Sequence, residues 1–195
     1  MGRVQLDPQP LIYPLPVALV ACLEPGGGPN VLVVSWITSV CASPPLIGVS
    51  LRPHRYSTQV IQETGEFTVN FPTQEMAVEV DLCGGLSGRD VEKLRVTGLT
   101  QTTGGVVRAP IIDECPVNLE CVVRQTLALG SHILFIAEVK ALHMDDSLCH
   151  PEDDQDEPQL DFLRAAPLIY APQSHDYWKI DEEAGCVIRS TGKKP

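Results

Sequence analysis

The stretch VLVVSWITSVCASPPLIGVSLRPHRYST, residues 31–58, decides the fold. Its first residues are apolar and β-branched and read as strand up to Trp36. Ser43, Pro44 and Pro45 then break the chain with a turn. Residues 45–51 alternate, with Ile47, Val49 and Leu51 on one face and Leu46, Gly48 and Ser50 on the other, as a strand requires. A glycine inside such a run marks a close approach to the backbone. Ser57 or Thr58 is a natural N-cap for a short helix, with Val60 and Ile61 as its apolar stripe and Gly65 as its stop. The stretch thus holds two strands, a proline turn and a helix start, with no crossover helix between the strands.

The flanking segments extend this pattern. Residues 16–23, PVALVACL, are followed by the turn cluster EPGGGPN, and pair with the run from Val31 as a hairpin. The three glycines are not a phosphate loop, because no GxxxxGK[ST] is present. Residues 66–71 place Phe67, Val69 and Phe71 inward. Thr73 caps a helix that ends at Gly84–Gly85, and Ser87-x-x-Asp90 has the form of a capping box before a turn carrying Lys93 and Leu94. Residues 117–125 turn Val117, Leu119, Cys121 and Val123 inward and Asn118, Glu120, Val122 and Arg124 outward. They form a second hairpin, through a turn at Gly130, with residues 132–142, whose Ile133, Phe135, Ala137 and Val139 share a face. Residues 167–171 make a last short strand or edge segment. About six strands, a few short helices and no βαβ alternation predict a mainly β chain, a closed six-stranded Greek-key barrel with helical decorations. No break in composition divides residues 1–195 into more than one domain.

Composition excludes several functions. The chain has 195 residues and a net charge of −11, which argues against nucleic acid or an anionic membrane as partner. No apolar run approaches the ~20 residues of a membrane span, and the N-terminus lacks the form of a secretory signal, so a cytoplasmic protein is expected. Seven cysteines without a CxxC pair read as reduced thiols, several of them small core residues, and offer no zinc spacing. Neither GxSxG nor HExxH is present. Most of the negative charge sits in one loop, residues 144–161, where eight acids meet no Lys or Arg. With His143, Cys149 and His150, that loop offers metal ligands, but it lacks the glycine and alternating acids of an EF-hand, and a solvated acidic loop is the simpler reading. The body of the chain is only mildly acidic.

Ser35, Thr38, Ser39 and Ser50 recur where a core strand would be apolar. Singly each reads as a small or solvent-facing residue; together they line a groove. Arg52, His54 and Arg55 precede the helix start. Free helix N–H groups, hydroxyls and two guanidinium groups form a receptor for a phosphate.

The segments Asn30-x4-Ser35-Trp36-Ile37-Thr38-Ser39-Val40, Pro44-Pro45-Leu46 and Ser50-Leu51-Arg52-Pro53-x-Arg55-Tyr56-Ser57-Thr58 resemble the flavin reductase-like, FMN-binding split-barrel family, which includes flavoredoxin and related ferric reductases. So do Gly65-Glu66-Phe67-x-Val69-Asn70, Cys83-Gly84-x2-Ser87-Gly88-Arg89-Asp90-x2-Lys93, Cys115 to Cys121, and His132-x2-Leu134-Phe135-Ile136-x-Glu138-Val139. The resemblance spans roughly residues 14–170, in order, and implies a homodimer of split barrels with FMN near the interface. It implies that Asn30, Ser35, Trp36, Ile37 and Thr38 line the isoalloxazine and ribityl chain. Ser50, Arg52, Arg55, Ser57 and Thr58 would hold the phosphate end. Lys93 and His132 match positions near the ring edge, where a cation stabilises the anionic reduced ring. Tyr170 matches an aromatic beside the flavin. The implied function is an oxidoreductase passing electrons from NAD(P)H or a carrier, through FMN, to a small acceptor. A non-catalytic module binding FMN or another small ligand on the same barrel is the alternative, and a metal protein using the acidic loop is a third reading.

Overall fold

The computed structural model describes residues 2–150 and 159–180. Residues 181–195, at the end where a C-terminal tail is expected from the sequence, and residues 151–158 of the acidic loop lie outside the described residues. In chain order the strands are β1 (Leu15–Pro16), β2 (Ala18–Leu23), β3 (Pro29–Val34), β4 (Ile37–Cys41), β5 (Leu46–Leu51), β6 (Glu66–Phe71), β7 (Gln101–Thr103), β8 (Pro110–Ile112), β9 (Val117–Leu129), β10 (His132–Met144), β11 (Cys149–His150), β12 (Gln159–Leu160), β13 (Ile169–Ala171) and β14 (Asp176–Trp178). The α-helices are α1 (Tyr56–Thr64), α2 (Ala77–Gly85) and α3 (Lys93–Thr97).

The chain is mainly β, as expected, but its main sheet has seven strands rather than six, in the order β3-β2-β6-β9-β10-β5-β4. The seventh is β4, because the run from Val31 stops at Val34 and restarts at Ile37. That break determines the shape. The sheet's two edge strands, β3 and β4, are joined only by Ser35 and Trp36. Laid flat, seven strands would hold their outer members about 29 Å apart at about 4.8 Å per spacing. A two-residue link reaches about 11 Å. The sheet must therefore curl until its edges come together; Trp36 O accepts a bond from Ser50 N at 2.9 Å, which carries the β4–β5 pairing up to the link.

Curling creates two cores. Inside lie Val20, Leu32, Val49, Phe67 and Phe135, with Val60 and Ile61 of α1 packed among them. On the outer face, Leu19, Ala21 and Val31 pack under Met76, Val80 and Cys83 of the α2 region and Leu94 of α3. β2 is buried on both faces, which accounts for the unbroken apolar run at residues 16–23. Cys22, Cys83, Cys115 and Cys121 are free and buried, as small core thiols. No helix among the described residues is long and apolar enough to cross a membrane.

The second core overturns part of the strand reading. Residues expected to face solvent are buried by the covering layer, so they are polar and mutually bonded. Asn70 donates to Leu19 O and accepts from Ile112 N and Asn118 Nδ2, each at 3.0 Å, which ties β8 onto the sheet. Glu120, expected outward on β9, is fully buried. Its carboxylate accepts from the backbone N–H groups of Gly105, Val106 and Val107 at 2.7–3.0 Å and meets His143 Nε2 at 2.7 Å. A Cβ at Gly104 would overlap that carboxylate, so glycine is needed for the loop to close on it. Burial pushes the Glu120 carboxyl up, but the bonds from Val107, His143, Val106 and Gly105 outweigh it and hold it at about 2. Two caps also differ. Arg55, not Ser57 or Thr58, is the N-cap of α1, without a side-chain cap bond, because both hydroxyl residues are drawn inside the first turn. Thr73 caps a 3-10 turn (Gln74–Met76) that leads into α2, again without a side-chain bond.

Replacing Glu120 with Gln puts an NH2 group against backbone donors and is expected to cost about 3 kcal/mol at pH 7. A carboxyl held at about 2, below its ordinary 4.5, contributes stability that is complete above the ordinary value and is lost as pH falls toward 2. Denaturant unfolding should show the gap between wild type and E120Q wide at pH 7 and shrinking from pH 4.5 downward.

Candidate functional site

The seam between β3 and β4 opens into a groove of about 480 Å³ lined by Ser35, Trp36, Ser50, Arg52, Arg55, His132, Tyr170 and His175, among others. A volume of about 300–1,000 Å³ is usual for small-molecule and cofactor sites. Trp36 reaches it from the two-residue link between β3 and β4, and His132 as the first residue of β10. Their rings stack, with centroids 4.5 Å apart and planes 24° apart. Burial, helped by the Arg52 charge, pulls the His132 imidazole down, which favours its neutral form. Its Nδ1 lies 2.9 Å from Ser131 Oγ. Tyr170 comes from β13, its hydroxyl 2.7 Å from His175 Nδ1.

Arg52 and Arg55 are exposed along the groove, and among the described residues neither forms an ion pair with a carboxylate. Arg55 also lines an adjoining cavity of about 190 Å³, with Ser35, Cys83, Gly84, Tyr170 and Tyr177. Ile37 and Thr38 instead line an apolar cleft of about 420 Å³ on the far side of Trp36, beside Pro10, Ile12, Pro14 and Leu134. Leu134 and Val40 side chains lie over Gly48, at 3.4 and 3.5 Å from where its Cβ would stand. Ser35 lies where all three spaces meet.

Four of the residues read from sequence sit behind these walls. Asn30 donates from Nδ2 to Ser57 Oγ at 2.5 Å, and both are buried. Thr58 Oγ1 donates to Arg52 O at 2.9 Å, fixing the turn that carries the arginine. Lys93 is buried, and its Nζ donates to Cys83 O at 2.7 Å, occupying a carbonyl that the last turn of α2 leaves free. Burial holds its ammonium below the ordinary lysine range, with Arg55 contributing in the same direction. The structure therefore gathers Ser35, Trp36, Ser50, Arg52, Arg55, His132 and Tyr170 in one groove. Asn30, Ser57, Thr58 and Lys93 lie beneath it, and Ile37 and Thr38 beside it.

Residues 11–179 match the family described as the flavin reductase like domain. The chain belongs to the flavin reductase-like family. Flavoredoxin of Desulfovibrio vulgaris (Miyazaki F) is similar to it, with a TM-score of 0.86 and 30% identity over 98% of this chain and all of the other. Flavoredoxin from Methanosarcina acetivorans gives 0.82 and 30% over 97% of each chain. An uncharacterized protein of Archaeoglobus fulgidus is 37% identical over 128 residues, 66% of this chain and 71% of its own. A protein of Shewanella frigidimarina described as having a split barrel domain shares the fold, with a TM-score of 0.76 and 21% identity over 88% of this chain and 85% of the other. The curled seven-stranded sheet is thus this family's split barrel.

His175 and Arg89 were not read from the sequence as site residues. His175 reaches the groove through a tight turn in which its own φ is 61° and its N–H bonds Ala171 O, and no side-chain pattern announces that turn. Arg89 did carry a signal, its place in the Ser87-Gly88-Arg89-Asp90 motif, but its hydrogen-bond partners lie 30 and 35 residues away in the chain. Among the described residues no three His, Cys, Asp or Glu side chains gather to hold a metal ion.

Protonated histidine quenches a stacked indole, so Trp36 fluorescence reports on His132. In a W178F background, which leaves Trp36 as the sole indole, the quenching midpoint should fall below the ordinary 6.5 of histidine. R52A should move it upward, because a positive neighbour disfavours the imidazolium.

Proposed function

We propose that the groove binds FMN and that the chain is an oxidoreductase taking electrons from NAD(P)H or a reduced carrier and passing them to a small acceptor. The observation that carries the reading is the conjunction, in one groove, of two exposed guanidinium groups free of carboxylates with a stacked Trp36–His132 pair. The residues fit the group: the volume suits a cofactor, the arginines answer a phosphate, and the aromatic pair answers a planar ring. The relatives' names agree, since two flavoredoxins are among the similar structures and an FMN-binding protein from Thermus thermophilus shares the fold.

In this reading Arg52 and Arg55 bind the phosphate, and Ser35 and Ser50 offer hydroxyls to the polar chain between phosphate and ring. Trp36 supplies a flat apolar face, and His132, whose neutral form burial favours, offers a hydrogen bond. Lys93 stays anchored on Cys83 O, behind the adjoining cavity that Cys83 lines, and supplies a positive field rather than a contact. Tyr170, tied to His175, closes one side. When bound, FMN supplies the two-electron redox chemistry that no side chain here provides. The apolar cleft beyond Trp36, lined by Pro10, exposed Ile12, Pro14 and Leu134, is the surface on which we place a second copy of the chain, as a homodimer.

Purified protein reconstituted with FMN should retain flavin absorbance through desalting, and dithionite should bleach it. R52A and R55A should each weaken FMN binding about tenfold. Colourless protein that takes up no added FMN would refute the reading. Steady-state oxidation of NADH or NADPH identifies the donor. Light scattering should give twice 21.2 kDa, and I12E should shift that mass toward one copy.

A further inference from the structure

The segment Ser87-Gly88-Arg89-Asp90 does not line the groove, yet it closes on the start of α1 from two sides. Arg89 donates from Nη1 to the His54 carbonyl at 3.2 Å and from Nη2 to Gln59 Oε1 at 2.7 Å. Its guanidinium lies 5.1 Å from the centroid of the Tyr56 ring. One planar group therefore holds residues 54, 56 and 59, on both sides of Arg55. Gly88 supplies the second contact. A Cβ there would overlap Asn30 Oδ1 and stand 3.2 Å from Tyr56 Cδ1, so only glycine lets this backbone come so near. Asn30 in turn holds Ser57 in the first turn of the helix. The start of α1 is thus gripped from outside by Arg89 and from beneath by Gly88 and Asn30.

A free guanidinium in an acidic protein would ordinarily find a carboxylate. Arg89 is spent instead on a carbonyl, an amide oxygen and a ring, all belonging to the segment that aims Arg55 into the groove. Those three partners need a planar, forked cation; an ammonium cannot satisfy them together.

We propose that Arg89, seated by Gly88, is a positioning residue that fixes the direction of Arg55 and of the α1 N-terminus, and so sets the preference of the groove for a phosphorylated flavin over an unphosphorylated one. The proposal rests on the FMN reading of the groove. Arg89 acts through Arg55 and does not touch the ligand.

Dissociation constants of FMN and riboflavin, measured by quenching of flavin fluorescence, test it in wild type, R89A, R89K and G88A. Wild type should prefer FMN. R89A and R89K should each weaken FMN about tenfold while riboflavin stays within about twofold, a loss of phosphate contact alone. G88A should show the same selective loss; should it fail to fold, R89K decides, since Arg89 is exposed and its replacement leaves the core intact. R89K binding FMN like wild type would overturn the proposal, because charge without the fork would then suffice. Equal weakening of both flavins, or of neither, would overturn it as well, and so would a wild type that binds both flavins equally. A wild type that binds neither flavin removes the FMN reading itself, and the proposal with it.

Discussion

Two residues, Ser35 and Trp36, join the outermost strands of a seven-stranded sheet, and this short link constrains everything around it. A link of that reach cannot span a flat sheet, so the sheet closes on itself. Closure provides an inside, filled by Val20, Val49, Phe67 and Phe135, with α1 packed into it. It also leaves a seam where strand pairing fails, and the groove opens there. Ser35 and Trp36 therefore shape the barrel and line its site at once. The stacking of Trp36 on His132 brings the start of β10 to the same place.

The polar interior supports this arrangement from the other side of the sheet. Asn70 and Asn118 stitch β8 to the barrel, and Glu120 gathers three backbone N–H groups and His143 around one carboxylate. Buried groups of this kind are costly unless every bond is made, so they specify one register for the loops they hold. Charge is divided in the same spirit. The acids concentrate at residues 145–161, while Arg52 and Arg55 keep their guanidinium groups free of carboxylates. A net charge of −11 therefore coexists with an anion-binding groove.

The features legible in the sequence were those carried by local pattern. The alternation of residues 45–51, the proline break at Ser43–Pro45 and the glycine-rich turn after Leu23 placed the β5 strand and the first hairpin. Of the hydroxyl and arginine cluster between Ser35 and Arg55, Ser35, Ser50, Arg52 and Arg55 do line the groove, whereas Thr38 lines the neighbouring cleft and Ser39 lines neither. The features that escaped depend on what lies across the sheet. Alternation assumes one buried face, and here the second face is covered too, so Glu120 and Asn118 were read as solvent-facing when they are the buried polar supports of that cover. Ser57 and Thr58 have the chemistry of N-caps, yet packing against Asn30 and the Arg52 turn draws them one step into the helix. Lys93 was read toward the ring edge; its bond to Cys83 O follows from a free helix carbonyl, which sequence spacing does not reveal.

The central claim is that the seam opened by Ser35 and Trp36 is an FMN site with its phosphate on the arginine side. A crystal structure of the protein with FMN tests it most directly. The account predicts the phosphate within hydrogen-bond distance of Arg52 and Arg55, and the ring against the Trp36–His132 pair. FMN bound outside this groove, or lying in it with its phosphate turned away from both arginines, would contradict it.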